Sequence, residues 1–154
     1  MKINRKIITS VVGLCLLFSV VGLGVFAQVS RPFRNGTVWT VAFIKMKPGM
    51  ETAYLNYIAT DWKRNQESMK KEGLILSYKV LTTEAHSPGD WNIMLMTEFK
   101  DLATMEANEA KADALAQKVV GDDQKQMQGY RERLEIREVM GVRLSREIVL
   151  EPQR

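Results

Sequence analysis

Five side chains stand out as candidates to do chemistry or hold a ligand: Trp39, Tyr54, Trp62, His86 and Asn92. His86 is the only histidine. An imidazole titrates near neutral pH, so it can act as a general base without much help from its surroundings, and it is the catalytic candidate. Its context, "EAHSPGD" from Glu84 to Asp90, is a loop with a Pro88-Gly89 turn, where a solvated histidine is the simpler occupant. Trp39, Tyr54 and Trp62 could stack a planar apolar molecule. Tyr54, Ile58 and Trp62 also recur every four residues, which is the spacing of a helix's core stripe. Asn92, beside Trp91 and close to the His86 loop, could orient a ligand or satisfy a backbone group at a sheet edge. One histidine and one cysteine make no usual ligand cluster, so neither a metal nor another cofactor is expected. No Gly-x-Gly-x-x-Gly, phosphate loop, nucleophile elbow or zinc-helix motif is present, which moves nucleotide-dependent and hydrolytic enzymes out of the front rank.

The start of the chain bears on location. Met1 to Lys6 is basic, and an uncharged apolar run over residues 7–27 follows, ending Val25-Phe26-Ala27. That pattern predicts a signal peptide over residues 1–27, cleaved after Ala27, and export to a periplasmic or secreted location. The alternative is an uncleaved anchor over residues 7–27, which would be the chain's one link to a membrane. Cys15 follows Leu14 inside the apolar run, so lipidation is not expected, and the mature part has no cysteine. The whole chain has 22 basic and 18 acidic residues, but Lys2, Arg5 and Lys6 belong to the leader. The remainder is close to neutral, and no case for a nucleic-acid partner survives.

Periodicity gives the elements. Residues 28–36 read as a flexible lead-in and residues 37–151 as one domain. "TVWTVAFIKMK", Thr37 to Lys47, is a strand closed by Pro48-Gly49. Met50 to Glu72 lacks Gly and Pro and is a long amphipathic helix, with Gly73 past its end. Leu74 to Thr83 is a second strand, and "GDWNIMLMTEF", Gly89 to Phe99, carries a third. Asp101 is placed to cap a second helix bearing Leu102, Met105, Ala112, Leu115 and Val119. After Gly121 a further helical piece runs from Asp123 to Met140, and Val142 to Leu150 is the last strand. The charge-rich "KRNQESMKKE" and "YRERLEIRE" read as solvated helix faces.

The order β-α-β-β-α-β predicts an α+β fold of ferredoxin-like type: one four-stranded antiparallel sheet with two helices on the same face. The other face should then be polar, yet the first strand offers Trp39, Val41 and Phe43 there, and the third offers Met94 and Met96. Five such side chains, each hiding on the order of 100 Å², would leave roughly 12 kcal/mol of burial unused at about 25 cal/mol per Å². A patch of that size marks an interface, and a second copy of the chain is the expected cover, closing two sheets into a barrel.

With "WNIMLMTEFKDLATME" and the ending "REVMGVRLSREIVL", the pattern resembles the dimeric α/β-barrel superfamily, which includes antibiotic-biosynthesis-monooxygenase-like proteins, haem-degrading monooxygenases and stress-responsive barrel proteins. The haem-degrading branch has a tryptophan ending the third strand, an asparagine on the first and a histidine on the second helix. Here Phe99 ends the third strand, Thr37 to Lys47 has no asparagine, and Leu102 to Val120 has no histidine. The resemblance therefore implies either a cofactor-free oxygenase acting on a small hydrophobic or aromatic molecule, or a non-enzymatic envelope protein whose packed barrel serves assembly or partner binding. A pocket of about 300 Å³ or more would favour the first.

Overall fold

A computed structural model describes residues 31–151, so the leader expected over residues 1–27 lies outside the described residues. Strand β1 (Phe33–Met46) is rich in β-branched and aromatic side chains, which suit an extended, half-buried backbone. A helix follows in three consecutive parts: α1 (Glu51–Tyr57), a π-helical turn (Ile58–Trp62) and α2 (Lys63–Lys71). Strands β2 (Ser77–Thr82) and β3 (Ile93–Phe99) come next, then α3 (Leu102–Ala107), α4 (Glu109–Val119), α5 (Asp123–Leu134) and β4 (Arg137–Leu150). The sheet order is β2-β3-β1-β4 with every pairing antiparallel, which is the ferredoxin-like arrangement. Besides the two helices of that arrangement, the further helical piece expected after Gly121 is present as α5, before β4.

The ends of the elements have local causes. Gly73 adopts φ 70°, and Leu74 N–H donates to the Met69 carbonyl, which reverses the chain past α2. Asp101 caps α3 by accepting from the Thr104 N–H at 2.6 Å. The charged residue expected as a cap is therefore a cap.

Register assigns the two faces. Val38, Ala42 and Ile44 pair with Phe99, Leu95 and Ile93, and Val80 of β2 pairs with Leu95. Ile44 and Ile93 form a buried core with Tyr54 and Ile58 of the helix, with Trp62, Val80 and Leu95 packed around it. That is the helix-covered face. On it Thr97 and Gln66, both buried, form a hydrogen bond between sheet and helix at 3.2 Å. The opposite face is a grid of three rows: Ser145, Trp39, Glu98 and Ser77; Arg143, Val41, Met96 and Lys79; Gly141, Phe43, Met94 and Leu81. Its centre is apolar and its rim polar except at Leu81.

Several boundaries move. β1 begins at Phe33, so part of the expected lead-in is strand, paired with Ile148 to Leu150. The strand consequently includes Asn35, which the narrower span had left out. β2 begins at Ser77, because Leu74 and Ile75 are buried while still coming out of the Gly73 reversal. Helix α5 stops at Leu134 and β4 starts at Arg137, taking residues expected to be helical into the sheet. Trp91, grouped by alternation with Ile93, instead lies edge-on against Phe43 at 5.1 Å, on the uncovered side. It precedes the regular strand, where alternation no longer constrains it.

Ile93 lies at the centre of the core with no exposed surface. Ile93→Ala should cost about 3 kcal/mol of stability, read from the urea midpoint at unchanged slope. A loss below about 1 kcal/mol would mean that the core is not centred there.

Candidate functional site

The fold separates the five candidate residues. Trp39 stands on the uncovered face, its indole N–H donating to the Thr37 hydroxyl at 3.1 Å, with the Lys79 ammonium 5.2 Å from its ring centroid. Tyr54 and Trp62 are on the covered side. Trp62 packs against the core and meets Tyr78 edge-on at 5.3 Å. His86 is exposed in its loop, where its backbone N–H donates to Asp90. Asp90 also accepts from the Ser87 N–H and hydroxyl, and these bonds hold its carboxyl below the ordinary carboxylate range. The Asn92 side-chain oxygen accepts from the Met46 N–H at 2.8 Å, so it carries the bonding between β1 and β3 past the last regular pair, Ile44 and Ile93. Of the five, Tyr54 and Trp62 share the core around Ile58. His86 and Trp39 do not join them there.

The one charged side chain buried among the described residues is one that sequence reasoning passed over. Arg137, in the stretch read as a solvated helix face, is only 8% exposed. It opens β4 opposite Met46 on the covered side, and its guanidinium lies 5.5 Å from the Tyr54 ring and 5.8 Å from that of Tyr130. Arg133 of α5 lies 4.7 Å over Tyr57, which stacks on Tyr54 at 5.8 Å. Tyr54 is fully buried and its hydroxyl has no hydrogen-bond partner. Burial pushes its pKa up to about 12, with Arg137 and Arg133 pulling the other way. Alternation gave no signal for it: Ile136, in the turn before β4, also packs against the core, and only the pairing of Arg137 with Met46 turns the arginine inward.

A cavity of about 150 Å³ is lined by Val38, Leu102, Leu144, Ser145 and Arg146, between the start of α3 and β4. That is about half the smallest usual size of a small-molecule site, and none of the five candidates lines it. Among the described residues no group of three or more His, Cys, Asp or Glu side chains could hold a metal ion. Nor does any helix among them have the length and apolarity to cross a membrane.

No family model matches the chain, and no curated protein matches it. Solved structures with a similar fold include HapK from Hahella chejuensis, at 9% identity over 71% of this chain and 91% of that one, with a TM-score of 0.46. A NIPSNAP family protein of unknown function from Agrobacterium tumefaciens matches at 15% identity over 75% and 90%, with a TM-score of 0.47. A dimeric ferredoxin-like protein from an uncultured marine organism matches at 13% identity over 78% and 100%, with a TM-score of 0.48. The fold class of this chain rests on its own strand order and register, and these likenesses carry nothing to its site.

A phenol whose folded pKa stands above the unfolded value contributes stability below pH 10 that is lost as the pH climbs towards about 12. Over that interval the protein should lose about 2 kcal/mol more than Tyr54→Phe does, measured by urea unfolding of both at the two ends. Parallel losses would show that the hydroxyl is not buried.

Proposed function

We propose that the chain is exported and works as a homodimer, its two uncovered sheet faces closing a barrel that receives a small hydrophobic or aromatic molecule. The observation that carries this is the three-row grid. Val41 at its centre is 6% exposed, and Trp39, Phe43, Met94 and Met96 around it are half-buried. Arg143, Lys79 and Glu98 stand around them. An apolar centre within a polar rim is the anatomy of a protein interface. Because the apolar side chains already shield one another, the unused burial is smaller than the five-residue figure suggested.

The sheet edges support the same reading. β2 and β4 are outermost and unpaired on one side, and both carry exposed large apolar residues: Leu81 of β2 on the uncovered face, Val142 and Leu144 of β4 on the opposite face, and Ile148 and Leu150 towards its end. Long apolar edges invite pairing with another chain, and closing a barrel covers them. Export accounts for the basic, apolar leader, and a mature part without cysteine would need no disulfide outside the cell.

Within this reading Trp39, Phe43 and Trp91 line the enclosed space, and an aromatic guest stacks on them. If the protein is an enzyme, its oxygen chemistry relies on the guest's own reactivity. A second reading, a packed barrel serving assembly or partner binding, is favoured by the filled covered side and the cavity of about 150 Å³.

Native mass spectrometry of the full-length gene product recovered from its producing cells tests these points together. The expected species is twice the mass of residues 28–154, with a small-molecule adduct. A dimer without adduct favours the packed barrel, and a monomer overturns both readings. Phe43→Arg should weaken the dimer by about 30-fold, on the order of 2 kcal/mol, in a dilution series.

A further inference from the structure

We propose that Asn35 is a site of self-modification: its side chain closes onto the Gly36 nitrogen as a succinimide, and water opens the ring to an isoaspartyl link that loosens the start of β1 from β4. Asn35 is the only asparagine of the chain followed by glycine. Asn56, Asn65, Asn92 and Asn108 precede Tyr57, Gln66, Ile93 and Glu109, and Asn4 precedes Arg5. Glycine leaves the attacking nitrogen unscreened by a side chain and lets the backbone turn into a five-membered ring. The sheet protects this pair poorly. Asn35 is exposed and pairs with Ile148, and the next pair along is Val38 with Arg146. Gly36 and Thr37 therefore stand opposite Glu147 alone, two residues against one, which is a bulge that interrupts the ladder. On the other side the pairing of β1 with β3 stops at Val38 and Phe99, short of Gly36.

The bulge itself requires the glycine. A Cβ at residue 36 would stand 2.6 Å from Oε2 of Glu147 and 3.0 Å from its Cβ. That carboxylate accepts from the Thr37 hydroxyl at 3.2 Å, and the same hydroxyl accepts from the Trp39 indole. A larger residue at position 36 would push Glu147 out of this chain of bonds, so the labile pair comes with the bulge. The chemistry needs only water. The Gly36 nitrogen bonds to Cγ of Asn35, the Cγ–Nδ2 bond breaks, and Nδ2 leaves as ammonia with the proton that the Gly36 nitrogen gave up. Water then breaks one of the two ring bonds to that nitrogen. Cleavage at Cγ gives aspartate, and cleavage at the main-chain carbonyl gives isoaspartate. In isoaspartate the main chain runs through Cβ and is one methylene longer. Phe33, Arg34 and Asn35 then lose register with Leu150, Val149 and Ile148, and a new carboxylate stands beside Glu147.

The test is to hold the folded protein in warm, mildly alkaline buffer, cut it with trypsin and weigh the fragments. The peptide of residues 35–45 should become heavier by about 1 Da, in two chromatographically separate forms of which isoaspartate is the larger. It should convert at least about tenfold faster than the peptides holding Asn56, Asn65, Asn92 or Asn108. Asn35→Gln, whose ring would need six members, should stay unchanged. In the converted protein the amides of Ile148, Val149 and Leu150 should exchange with deuterium about tenfold faster than before. Asn35→Asp has the charge without the extra methylene and should keep those amides protected. A peptide that converts in urea but not in the folded protein overturns the proposal, because the bulge would then hold the Gly36 nitrogen. Equal conversion at another asparagine overturns it too, as does aspartate without isoaspartate. Unchanged amide exchange after conversion, or equally fast exchange in Asn35→Asp, overturns the loosening by the isoaspartyl link.

Discussion

Side chains alternate across a strand, so a strand that is apolar at consecutive positions presents apolar surface to both sides of its sheet. β1 is such a strand. Val38 and Ile44 go to the helices, while Val41, between Trp39 and Phe43, goes the other way. Because β1 lies in the interior of the sheet, paired with both β3 and β4, its two-sidedness is imposed on its neighbours. Leu95 and Met96 of β3 divide in the same way. The covered core, the apolar grid and the need for something to close over that grid all follow from this one strand.

On the covered side the same geometry makes an electrostatic problem. The chain enters β4 from α5 without a helical residue to spare, and Arg137 arrives on the inward parity next to fully buried Tyr54. Packing deals with the shape of the side chain by laying it between Tyr54 and Tyr130. Its charge is not met by any carboxylate of the described ion pairs. Hydrophobic burial can place a guanidinium here, but it cannot satisfy one.

Much of the architecture was legible because it depends on local rules. The strand and helix order follows from periodicity, the break after α2 from Gly73, and the start of α3 from Asp101. The site was less legible, and for identifiable reasons. Aromatic rings at Tyr54 and Trp62 suit a planar ligand, but their four-residue spacing also describes a core stripe, and both belong to that core. The amide of Asn92 suits a ligand equally, but its oxygen is taken by the Met46 N–H. Arg137 was missed because a run of alternating charges looks solvated whether it is helix or strand. Only the boundary between α5 and β4 decides which of its residues turn inward, and boundaries are set by tertiary pairing rather than by local preference.

The long pairing of β1 with β4 has a mechanical side. Phe33, Arg34 and Asn35 pair with Leu150, Val149 and Ile148, beyond the last β3 partner at Val38, and Arg34 reaches Glu151 at 2.9 Å. The domain's two ends thus leave side by side from a narrow two-stranded ribbon. A force drawing them apart acts across the ribbon's hydrogen bonds and opens them in turn, as a zip opens. A load carried by one end alone travels along β1 into the middle of the sheet, where neighbours on both sides share it. The domain therefore withstands a load on one end better than a load that draws its two ends apart.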